Sequence, residues 1–246
     1  MLESIEFFQL KLVKVSCRHR NRGDVLKSGV VLSGCGAEDG TAIDEAILTF
    51  LALERAGAEI ICVSLDKDQY EVFNHHTRKS AELDQKRNQL IESARILNRP
   101  AKNIETITED EFDLLVIPGG NGVLKNLSTF VDEEDQFRVN NGLQKLLAGC
   151  FIKKKPLGAI GEGVFLIERS LKGIAENLVI TASGNTSERV NVVERLAIDH
   201  VPCEKGEVCI DRSSRVVTAS LLEHGESLLE KNSTIEKLVE KLLEML

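Results

Sequence analysis

The sequence predicts a doubly wound α/β domain on a mostly parallel sheet, and three features point to it. Short apolar runs recur along the chain, each followed by a glycine-punctuated loop and then by a stretch of helical periodicity. The run EIICVSL, residues 59–65, is apolar almost without interruption, as expected of a strand covered on both faces. KPLGAIGEG, residues 155–163, passes from small apolar residues through Gly161-Glu162-Gly163 straight into the helical run Val164-Phe165-Leu166-Ile167. That is a strand turning sharply into a helix. At such an elbow the apex residue sits over a helix start, whose dipole and free amides favour a thiolate or an oxyanion. Here the apex is Gly161, which has no side chain to attack with.

Taken in order, residues 29–33 read as the first strand and 34–40 as a glycine loop. Thr41 and Asp44 resemble a capping box opening a helix to about residue 56. The second strand is 58–65. Residues 70–75 suggest a short hairpin arm, and 84–97 a helix stopped by Pro100. The third strand, 112–117, closes on Pro118-Gly119-Gly120-Asn121-Gly122, and helices are expected near 123–129 and 133–150. The elbow strand is 157–160 and its helix 164–171. Residues 178–182 read as a strand, with Thr186 or Ser187 capping a helix to about 197. Residues 200–203 look extended, and 206–210 with 215–219 form a hairpin about 211–214. Helices at 223–230 and 233–246 finish the chain, the second with Ile235, Leu238, Val239, Leu242 and Leu243 on one stripe, read as domain packing. Residues 1–26 are an N-terminal extension and 27–246 a single domain.

With 246 residues, a net charge of −8, 4% aromatic residues and no Trp, the chain offers no basic stripe, which argues against nucleic acid as a partner. No run approaches the roughly 18 apolar residues that a membrane span requires. The six cysteines are scattered without C-x-x-C spacing, which suits a reducing compartment and a cytoplasmic location. In residues 1–24 Lys11, Lys14 and Arg18 alternate with Glu3, Glu6 and Asp24, and no continuous apolar core follows a basic start. A secretory signal is therefore not expected, and a mitochondrial presequence is the alternative. His75 and His76 are adjacent on an extended arm and so point to opposite faces; neither a metal nor a cofactor is expected.

Loops leaving the carboxyl ends of neighbouring parallel strands converge on one crevice. SGCGAEDG, PGGNG and GEG are therefore expected to meet, with the PGG amides free to form an oxyanion hole beside an elbow amide. GVVLSGCGAEDGTAIDEA, IPGGNGVLKNLS and KPLGAIGEG together resemble the ThiJ/PfpI superfamily of class I glutamine amidotransferase-like domains, and within it the ElbB branch labelled as isoprenoid-biosynthesis glyoxalases. The match runs from about residue 27 to 246. The resemblance implies a flavodoxin-like fold and a homodimer. It places the acidic partner on Glu45, the oxyanion amides on Gly120 or Asn121 and on Glu162, and the nucleophilic cysteine on Gly161, where this chain departs from the pattern.

Two functions follow. One is a small-molecule-binding or regulatory protein that keeps the pocket without the thiol. The alternative is a glyoxalase-type enzyme acting on small dicarbonyls through Cys35, or through Glu45 and a water. Cys35 lies in the first loop, where the favoured reading is a small residue packing it rather than a nucleophile.

Overall fold

The apolar runs are continuous because neighbouring residues of each strand enter two different cores. The computed structural model of the chain describes residues 25–82, 84–181, 200–220 and 226–246. Its central strands are β1 (Leu26–Val31), β2 (Ala58–Ser64), β6 (Leu114–Ile117) and β7 (Leu157–Ile160). Val31, Leu115, Ile117 and Ala159 face a cluster completed by α3 (Asn121–Leu127), α5 (Asn141–Ile152) and α6 (Gly163–Leu171). Val30, Leu114, Val116 and Ile160 face the opposite cluster, built by α1 (Ile43–Arg55) and the terminal helix α7 (Leu228–Leu243). Each strand is thus apolar on both sides.

With β5 (Lys102–Asn103), β8 (Val208–Asp211) and β9 (Val216–Ala219) the sheet has seven strands, in the order β5-β2-β1-β6-β7-β9-β8. All pairs are parallel except β8 with β9, the expected hairpin. Asp211 secures its turn by accepting from Ser214 N–H at 2.9 Å and from Ser213 Oγ–H at 2.6 Å. The far edge, β5, is two polar residues long and has no counterpart in the sequence reading. A separate two-stranded ribbon, β3 (Phe73–Asn74) with β4 (Lys79–Ser80), projects between β2 and α2 (Gln89–Leu97).

Several boundaries differ from expectation, each for a local reason. Helix α1 is capped by Ala42 without a side-chain bond, because the Thr41 hydroxyl instead accepts from Ser33 N–H at 2.9 Å. Asp44 pairs across to the buried Lys231 at 2.7 Å. Helix α2 starts at Gln89 rather than 84, since Asn88 caps it through Ile91 N–H, and it ends on left-handed Asn98. The expected helix 133–150 is divided into α4 (Phe130–Glu133), a 3-10 turn at Glu134–Gln136, and α5, where Asn140 accepts from Gly142 and Leu143 N–H. No strand forms at 178–181. Its amides at Val179 and Thr181 donate to the Asp211 and Thr218 side chains, and only a single bridge joins Ile180 to His200. The two expected terminal helices are one, because Ser227 and Glu230 form a reciprocal capping box that starts α7. The expected helix 186–197, residues 1–24 and residues 223–225 lie outside the described residues.

Helix α7 belongs to the domain core. Leu238 is 0% exposed and packs with Leu242 over Gly158, where an added Cβ would come within 2.6 Å of Leu242 Cδ1. Leu238→Ala is expected to lower stability by about 2–5 kcal/mol. Urea unfolding should show this as a lower midpoint at unchanged slope, and an unshifted midpoint would place α7 outside the cooperative core.

Candidate functional site

Three loops leave the carboxyl ends of β1, β6 and β7 and pack backbone against backbone. Ala42 N–H donates to Gly119 O at 2.9 Å, tying the β1–α1 loop to the β6–α3 loop. The approach is close enough that a Cβ at Gly122 would lie 1.9 Å from Gly40 N. Only glycine fits there. At the third loop Gly161 has φ +52°, donates its N–H to Ala219 O at 3.1 Å and accepts from Val164 N–H at 3.2 Å. One left-handed residue therefore carries the chain from β7 into α6, with Glu162 in helical conformation behind it.

Two acids converge on the PGG turn. Glu45, 2% exposed in the first turn of α1, accepts from Gly119 N–H through Oε2 at 2.7 Å. Glu162, 8% exposed at the elbow, accepts from Gly120 N–H through Oε2 at 3.1 Å. The expectation of free PGG amides is thus corrected, since carboxyl oxygens of this chain already occupy both. A Cβ at Gly119 would come within 2.7 Å of Glu45 Oε2 and 3.4 Å of Glu162 Oε2, so both carboxyls lie beside the same residue. Burial, reinforced by the neighbouring Glu162 charge, pushes the Glu45 carboxyl from its ordinary 4.5 up to about 8. The bond from Gly119 only partly offsets this. Near neutral pH Glu45 is therefore mostly protonated, and it can give or take a proton in the range where enzymes and sensors work. The Asn121 side chain turns to the β1–α1 loop, its Nδ2 donating to Glu38 Oε2 at 2.8 Å.

Cys35 lies elsewhere. It is half-buried at the side of a largely apolar hollow lined also by Ile43, Asp44, Ile47, His75 and Leu228, a hollow that Glu45 does not reach. Burial raises its thiol above the ordinary 9.0, and the charge of Glu92 raises it further, the opposite of what activates a nucleophile. His75 is not its base. One ring nitrogen, Nδ1, lies 3.2 Å from Phe73 O, and the other, Nε2, accepts from Glu38 N–H at 3.4 Å. Among the described residues no group of three or more His, Cys, Asp or Glu is arranged to hold a metal ion. No helix among them is long and apolar enough to cross a membrane.

The Glu162–Gly120 contact was not expected from the sequence, where only the Glu162 backbone amide was given a role. An acid directly after the elbow apex was the available signal.

A parallel sheet with a strand-to-helix elbow, an acid from the first helix and a glycine turn between them defines a class I amidotransferase-like α/β domain. The chain belongs to the DJ-1/PfpI family, which residues 35–232 match. It is 31% identical to the rat ES1 protein homolog, mitochondrial, over 88% of this chain and 82% of that protein. It is 30% identical to the human glutamine amidotransferase-like class 1 domain-containing protein 3, mitochondrial, with the same coverage. Among solved structures, an isoprenoid biosynthesis protein with an amidotransferase-like domain from Ehrlichia chaffeensis aligns at TM-score 0.80 and 32% identity. That alignment covers 90% of this chain and 100% of the other.

The Glu45 proton has a consequence for stability. The folded state retains it up to about pH 8, whereas the unfolded chain releases it near the ordinary 4.5, so this contribution is full below about 4.5 and lost as pH rises to about 8. Glu45→Gln keeps an acceptor for Gly119 N–H and has no proton to lose. Urea unfolding at a series of pH values should show wild-type stability falling by a few kcal/mol, on the order of magnitude, across that window, with a flatter profile in the variant. Equal slopes would contradict the assignment.

Proposed function

We propose that this protein is a small-molecule-binding member of the DJ-1/PfpI family that works without thiol chemistry at the elbow. The observation that carries this reading is the apex itself. Gly161 holds the strained turn with no side chain, and the Gly119 and Gly120 amides beside it are held by Glu45 and Glu162. A covalent step needs an atom that forms a bond to the electrophile, and none stands at this position. Cys35 does not supply one, given its raised thiol and the commitment of His75 to Phe73 and Glu38.

A second reading rests on Glu45 alone. A carboxyl titrating near pH 8 beside backbone amides suits a general base acting through water on a small dicarbonyl, the glyoxalase-type alternative. That reading needs turnover, and the binding reading excludes it.

Methylglyoxal consumption by the purified protein, with Cys35→Ala beside it, separates the two. Both proteins are expected to match the protein-free blank. Turnover lost in Cys35→Ala would show a relocated nucleophile, and turnover surviving in it would point to Glu45 and water; either contradicts the binding reading. Gly161→Cys is expected to react with iodoacetamide faster than a free thiol, at a backbone cost of roughly 1–2 kcal/mol for a left-handed non-glycine residue.

A further inference from the structure

We propose that His75 and Asp39 form an acid-engaged latch that fastens the β3–β4 ribbon to the β1–α1 loop. The Asp39 side chain has no exposed surface. Its Oδ2 accepts from Phe73 N–H at 2.7 Å, while no group among the described residues donates to its buried Oδ1. His75, 40% exposed, places Nε2 at 3.9 Å from that unpartnered oxygen, just outside hydrogen-bond distance. Gly36 keeps the gap open, because a Cβ there would lie 2.6 Å from His75 Cε1 and 2.9 Å from Asp39 Oδ1.

The partners of the ring assign its neutral form. Nδ1–H donates to Phe73 O, and Nε2 accepts the long 3.4 Å bond from Glu38 N–H. When the ring takes a proton from solvent at Nε2, that nitrogen changes from acceptor to donor. The Glu38 contact is then lost, and the Asp39 carboxylate, unable to find water as easily as an exposed acid, becomes the partner that a small ring movement reaches.

Among the described residues the neighbouring acids are already engaged. On the ribbon Arg78 is committed to Glu38 Oε1 at 2.9 Å and lies over the Phe73 ring, and Lys79 is a cation. From the loop, Glu38 also receives Asn121 Nδ2; across the hollow, Asp44 is paired with Lys231, and Cys35 is a neutral thiol. The Glu38 side chain joins Arg78 of the ribbon to Asn121 of α3, independently of its backbone contact with His75.

Amide hydrogen exchange of residues 73–80, corrected for intrinsic rates, tests it at about pH 5.5 and about pH 7.5, which span histidine titration; the Glu45-linked fall in stability over the same window is shared by the variants below, so comparison with them isolates the latch. Wild-type protection is expected to be about two- to five-fold greater at the lower pH, in keeping with a half-exposed ion pair. The rise should vanish in Asp39→Asn, which keeps the acceptor for Phe73 N–H, and in His75→Gln, which cannot titrate. If Asp39→Asn does not fold, His75→Gln decides alone. A wild-type protein with equal protection at both pH values, or a rise that survives in either folded variant, overturns the latch.

Discussion

The hydrogen bond from Gly119 N–H to the buried Glu45 carboxyl is the contact on which the site depends. It joins α1 to the turn after β6, across 74 residues of chain, in a place with little water to take over if it breaks. The Ala42–Gly119 bond runs the other way between the same loops, so donor and acceptor of one residue are both committed. Gly120 and Gly122 follow from this closure. With φ +126° at Gly120 and the Gly122 position pressed on Gly40, side chains there would drive the loops apart.

That closure also sets the chemistry. Taking Glu45 out of water and setting Glu162 beside it makes the ionised form costly, so the site holds a proton on a carboxyl. Glu162 reaches the Gly120 amide from the far side of the turn. Of the amides expected to cradle an oxyanion, that of Gly120 is thereby taken by a carboxyl of this chain. The two cores above and below the sheet keep the three loops in place, since β1, β6 and β7 are covered on both faces by buried side chains.

Much of the fold was legible because alternate residues of the central strands are apolar in both directions, and a run such as 59–65 has few other readings. What was misread turned on single polar groups. Asn88 and Asn140 start helices that hydrophobic spacing alone would begin earlier, and Ser227 with Glu230 starts one helix where two were expected. Residues 178–181 are apolar enough for a strand, yet their amides go to side chains of Asp211 and Thr218. The edge strand at Lys102–Asn103 is too short and polar to leave a pattern. In the site, Glu45 and Gly161 were located by family resemblance and the elbow by its glycines. The Glu162–Gly120 bond and the approach of His75 to Asp39 join residues distant in the chain through tertiary packing, which no local spacing encodes.

The central claim is that a protonated carboxyl at Glu45 stands at the heart of the site. Carbon-13 NMR of protein labelled at the glutamate side-chain carboxyl carbons would test it most directly. One resonance is predicted to titrate near pH 8 and to be missing from Glu45→Gln. Glutamate resonances that all titrate in the ordinary carboxylate range would contradict the account.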